Sequence, residues 1–139
     1  MNTPQPNEYI LLLQGDEWYQ RLSAEELQKV MDQSKAWFDR LAAQGKVKGG
    51  QALRREGAVV SGHGKSQRVL TDGPFVESKE AIGGYLVLRV DTLAEAIAIA
   101  KTSPALAHGT SIEVRPIAEE CPLDARARQL ARPAHLAEA

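Results

Sequence analysis

The sequence predicts an α+β fold of the ferredoxin-like, split βαβ type, with an antiparallel sheet and helices on one face of it. Three observations lead there. Two capping-box motifs, Ser23-Ala24-Glu25-Glu26 and Thr92-Leu93-Ala94-Glu95, each open an apolar helical pattern. A strand-like segment stands before and after each helix. Between the two β-α-β halves, from Arg54 to Gly83, the pattern breaks up.

The first strand is expected at Tyr9–Leu13, apolar on both faces and therefore covered on both sides. Ser23 then caps a helix expected over 24–44, with Leu27, Val30, Met31, Trp37, Phe38 and Leu41 in its apolar stripe and Gly45 as its stop. Val47–Leu53 reads as the second strand. Ala58–Ser61 and Gln67–Leu70 read as a hairpin joined by Gly62-His63-Gly64, followed by a turn at Thr71–Phe75. Gly84–Val90 alternates, placing Leu86, Leu88 and Val90 toward the helices and Tyr85, Val87 and Arg89 away. In the second helix Leu93, Ala96, Ile97 and Ala100 make one apolar face, and Ser103-Pro104 stops it. The last strand, Thr110–Ile117, sends Ile112 and Val114 to the helices and Glu113 and Arg115 away. Residues 1–7 read as a leader, 8–118 as the domain with an insertion at 55–83, and 119–139 as an Ala/Arg-rich tail.

A chain of 139 residues with 43% hydrophobic and 25% charged side chains suits one globular domain without disulfides. A net charge of −1 offers no clustered basic face for nucleic acid. Apolar runs such as Ile10–Leu13 are far too short for a bilayer, and Met1-Asn2-Thr3-Pro4 lacks the features of a signal peptide, so no membrane partner and a cytoplasmic location are expected. Cys121 stands alone. His63, His108 and His135 are scattered without metal-ligand spacing, so no metal and no cofactor are expected. Gly62-His63-Gly64-Lys65-Ser66 imitates a phosphate loop, but Val59 stands where its first glycine belongs and a strand, not a helix, follows.

The far side of the predicted sheet mixes apolar and charged residues and calls for a cover; a second copy, face to face, is the simplest, giving a homodimer with a partly polar cavity. Asp72 is the leading candidate for chemistry. In Asp72-Gly73-Pro74-Phe75 the proline has no N–H, so the usual bond from an aspartate to the residue two ahead is missing. Its carboxylate is then open either to cap Phe75 or Val76, or to serve a pocket. Glu77, Lys79 and Glu80 form a surface loop or a charged rim. Ser34, inside the helix stripe, reads as a small packing residue bonding the carbonyl one turn back, and Trp37 as core or cavity wall. Arg89 and Arg115 are candidate anion contacts.

The chain resembles the YCII-related, or DGPF-domain, family over roughly residues 8–117. The resemblance is carried by Thr71-Asp72-Gly73-Pro74-Phe75, Glu77-Ser78-Lys79-Glu80 and Gly83-Gly84-Tyr85, with support from Gly49-Gly50-Gln51-Ala52-Leu53 and Ser111-Ile112-Glu113-Val114-Arg115-Pro116. It implies a dimeric α-β barrel and, for some members, association with extracytoplasmic-function sigma factors. Where members carry a histidine on the first helix, three positions before an aromatic, this chain has Ser34 before Trp37, so a His–Asp pair built from that helix is missing. The resulting expectation is a homodimer that binds a small polar or aromatic molecule, or a weak acid/base enzyme using Asp72, with Ser34, Trp37, Phe75, Glu77, Lys79, Tyr85, Arg89 and Arg115 as ligand contacts. A regulatory module tied to sigma-factor signalling and a cofactor-independent oxygenase are the alternatives.

Overall fold

The computed structural model describes residues 7–63, 66–71 and 81–131, with 63 and 66–71 as backbone alone. Its elements are β1 (Asn7–Gly15), α1 (Ala24–Ala43), β2 (Val47–Ala52), β3 (Ala58–His63), β4 (Ser66–Thr71), β5 (Ala81–Val90), α2 (Leu93–Ala100), β6 (Ser111–Pro116) and α3 (Pro122–Ala131). Single 3-10 turns occupy Trp18–Arg21 and Pro104–His108. The main sheet is open, with order β2-β5-β1-β6 and every neighbouring pair antiparallel. This is the split βαβ architecture expected. β3 and β4 form a separate two-stranded sheet. Its pairing reaches Gly62↔Gln67 and His63↔Ser66, so both strands run further than the sequence suggested.

Local chemistry fixes the ends of α1. Ser23 Oγ accepts from the Glu26 amide at 3.1 Å, and the Glu26 carboxylate accepts from the Ser23 amide at 3.0 Å, a complete capping box worth about 1 kcal/mol. These bonds hold the Glu26 carboxyl below its ordinary value. At the other end Gly45 takes φ +69°, the left-handed region. Lys46 N–H donates to Leu41 O and Gly45 N–H to Ala42 O, the paired bonds of a Schellman stop. The second capping box is only half formed. Thr92 Oγ1 accepts from the Glu95 amide at 3.1 Å, but the Glu95 carboxylate accepts from Asp91 N–H rather than from Thr92, and its other oxygen stands 3.4 Å from Lys46 Nζ. The ion pair to the start of β2 draws the side chain away from the cap.

Tyr9, Leu11, Leu86, Leu88 and Val90 of the inner sheet face pack against Trp37 and Leu41 of α1 and Ala96, Ile99 and Ala100 of α2; Ile112 and Val114 pack at the margin. Leu11 and Leu88, on the two central strands, are fully buried. Two expectations fail here. Met31 and Phe38 are 55% and 42% exposed, because α1 crosses the sheet on the narrower Val30–Trp37–Leu41 line. On α2 the buried face is Ala96, Ile99 and Ala100, while Leu93 and Ile97 are exposed. A helix of eight residues touches the sheet with about one row, and the smaller residues form it. α3 buries none of its residues.

Glycine at position 50 sets the spacing of the edge strand. A Cβ there would stand 2.5 Å from the Tyr85 carbonyl oxygen and 2.8 Å from Leu86 Cδ1, whereas at Gly49 it would meet nothing within 4 Å. We therefore predict that Gly50→Ala lowers unfolding free energy by about 1–3 kcal/mol, the usual cost of overpacking. Gly49→Ala should stay within about 0.5 kcal/mol of wild type. Urea titration of both variants checks the pair, and equal losses would contradict the assigned orientation.

Candidate ligand-binding cleft

On the helix side of the sheet, α1 stands away from the β2–β5 edge and leaves a cleft of about 500 Å³. Its floor is largely backbone, at Gly50, Gly83 and Gly84. Its walls are Trp37 and Phe38 on one side and Ala52, Leu13 and Leu86 on the other; Ser103, Pro104 and Ala105 close one end. The floor is shaped by a bulge. Leu13 pairs with Gly84 and Gln14 with Ile82, so Gly83 is an extra residue on β5 with no partner on β1. A Cβ on Gly83 would find nothing nearer than the Leu13 carbonyl oxygen at 4.0 Å, so the space above it belongs to the cleft.

The aromatic wall is held in place. Trp37 is 8% exposed, and its indole Nε1–H donates to Thr102 Oγ1 at 2.7 Å; the Thr102 hydroxyl in turn donates to the Ile99 carbonyl at 2.6 Å. The ring is thus tied to the last turn of α2. Phe38 needs no tie and leaves much of its ring exposed at the lip. Ser34 lines the cleft one turn before them, half-buried. The bond to the carbonyl one turn back is not made; among the described residues no hydrogen bond uses its hydroxyl. Lys35 lies at the rim, where its ammonium donates to Asp39 at 2.7 Å, and that carboxylate raises its affinity for a proton.

The structure divides the sequence candidates among three places. Ser34 and Trp37 meet in the cleft. Tyr85 also contributes to its lining, although alternation with the buried Gly84 and Leu86 gives its side chain to the far sheet face. Arg89 and Arg115 are on that far face. Arg89 Nη2 is 3.7 Å from Glu8 Oε2, which Lys48 Nζ approaches to 2.8 Å; a bulge between Val47 and Gly49 turns Lys48 toward it. The Lys48 hydrogen bond, aided by Arg89, holds the Glu8 carboxyl below the ordinary value. Arg115 Nε lies 3.7 Å from Glu113 Oε2 of the same chain. Asp72, Phe75, Glu77 and Lys79 lie outside the described residues.

Residues 8–121 match the YCII-related domain. The chain belongs to the YCII-related family. No curated protein matches it. The matched span of the YCII-related domain runs through β1–β6 and ends at Cys121, immediately before α3. Among its described residues no helix is long and apolar enough to cross a membrane.

Sequence reasoning missed a second aromatic group in this YCII-related domain, at the end of β1. The rings of Trp18 and His108 stack with centroids 4.6 Å apart and planes 6° from parallel, and Tyr19 meets Trp18 edge-on at 5.9 Å. Glu17 sits beside them, accepting from Tyr19 Oη at 3.3 Å and from Gln20 Nε2 at 2.7 Å, with Arg55 Nε 3.4 Å away. Burial, reinforced by Glu17, raises the Tyr19 phenol above its ordinary value. The cluster of Trp18-Tyr19 just after an apolar strand was a visible signal; the histidine that completes it was not.

Proposed function

We propose that this YCII-related protein binds a small, mainly aromatic molecule in the cleft under α1. The observation that carries the reading is the pairing of a fixed aromatic wall, Trp37 with Phe38, and a floor of glycine backbone at Gly50, Gly83 and Gly84. An aromatic ring can lie flat between them, since the floor has no side chains to displace. The Ser34 hydroxyl and the exposed backbone groups of the floor offer hydrogen bonds to a polar substituent. Binding is favoured over acid–base catalysis by the lining itself: among its described residues there is no carboxylate or imidazole, and Lys35 is engaged by Asp39. Asp72 enters this reading as an anchor or proton-transfer group carried by the segment that leads into β5 at Ala81.

Gly83→Leu is the direct test. The bulge has room for the side chain, so the fold should survive while the cleft is filled. With 2-naphthol as probe and calorimetry as readout, the affinity should fall about tenfold or more, as expected for loss of roughly 1.4 kcal/mol of contact. An unchanged affinity would rule the cleft out as the binding place.

A second copy of the chain is proposed to cover the far sheet face, where Ile10, Leu12, Tyr85 and Val87 are only half-buried between the Glu8–Lys48–Arg89 and Glu113–Arg115 groups. Equilibrium sedimentation at micromolar concentration should return the dimer mass. A monomer there would contradict this cover.

A further inference from the structure

We propose that the site is bipartite, and that its ligand is an aromatic molecule carrying a short, uncharged, hydrogen-bonding tail; this rests on the cleft under α1 being a binding site. A second cavity of about 180 Å³ opens at the end of β1, bounded by Gly15, Trp18, Tyr19 and Thr110. It shares Leu13, Gly83 and Ala105 with the larger cleft, so the two compartments meet across the β5 bulge. Because Gly83 has no side chain, nothing projects from the bulge into the junction.

The smaller compartment has the chemistry of a polar end-pocket. Thr110 is 7% exposed, lines the compartment, and its Oγ1 takes part in no hydrogen bond among the described residues. The residue is largely buried while its hydroxyl oxygen keeps access to the compartment, which makes it a ready contact for a ligand group. The opposing wall is rigid. Trp18 is clamped by His108, which belongs to the same 3-10 turn as Ala105, so one element supports both compartments. The charges nearby are matched. Asp16 receives two hydrogen bonds from Arg21, at 3.1 and 3.3 Å, and Glu17 faces Arg55 at 3.4 Å. Among its described lining residues there is no cation to select a carboxylate, and Asp16, which lines it, is engaged by Arg21, which leaves a hydroxyl or amide as the tail that Thr110 would hold.

Two probes separate this inference from the reading beneath it: 2-naphthol, which fills the larger cleft alone, and 2-(2-naphthyloxy)ethanol, which carries a hydroxyethyl tail on the same oxygen. By calorimetry the longer probe should bind the wild-type protein about fivefold more tightly, the scale of one hydrogen bond made to a buried partner. Thr110→Val should remove that preference without altering 2-naphthol affinity, and Thr110→Ser should keep it. A readout on the unmutated sequence stands beside these variants. The chain has two tryptophans, Trp18 and Trp37. In protein labelled with 5-fluorotryptophan, 2-naphthol should move only the Trp37 fluorine resonance, and the longer probe should move both. If neither probe binds, the cleft reading falls and this inference with it. If 2-naphthol binds but the tail adds no affinity and leaves the Trp18 resonance unmoved, the bipartite site alone is overturned. A preference that survives Thr110→Val overturns the assignment of Thr110.

Discussion

The absence of one carbon atom, the Cβ at position 50, governs the functional side of this domain. With it, β2 could not lie where it does against the Tyr85 carbonyl and the Leu86 side chain. Without it, the edge strand closes on β5, and the space under α1 is floored by backbone rather than by side chains. Gly84 adds to this, since a Cβ there would stand 3.1 Å from the Gln51 carbonyl oxygen. The pairing of the two central strands, β5 with β1, then breaks register at Gly83, and the bulge opens the floor toward the end of β1. Bulges commonly end pairing or redirect a side chain. Here one bulge turns Lys48 to the far face, while the other joins two cavities.

The two faces of the sheet have been given different chemistry by the same alternation. Inward residues such as Leu11, Leu86 and Leu88 build a core with α1 and α2. Outward residues form ion pairs, Glu8 with Lys48 and Arg89 across three strands and Glu113 with Arg115 along β6, beside half-buried apolar residues. The arginines that sequence inspection offered as ligand contacts therefore answer carboxylates of their own chain. They stand on the side away from Ser34 and Trp37.

Much of the architecture was legible because it rests on local rules. The Ser23 box, the Gly45 stop and the alternation of β5 and β6 each follow from residues within a few positions of one another. The second capping box shows where such rules fail: Glu95 had the right spacing, but a lysine distant in sequence competes for its carboxylate. The α2 face was misjudged for a similar reason, since which apolar residues are buried depends on how a short helix sits on the sheet. The candidate site was legible only in its side chains, Ser34 and Trp37. Its floor is backbone, its bulge is a property of pairing between strands, and the Trp18–His108 stack joins residues that meet only in the folded chain.

The glycine-floored cleft, and not the charged far face of the sheet, is the proposed place of the ligand. Amide chemical-shift mapping with 2-naphthol tests it most directly. The largest shifts should fall on the amides of Gly50, Gly83 and Gly84 and on the Trp37 indole N–H, which line or wall the cleft. Shifts confined to Glu8, Lys48, Arg89, Glu113 and Arg115, the residues of the opposite face, would contradict it.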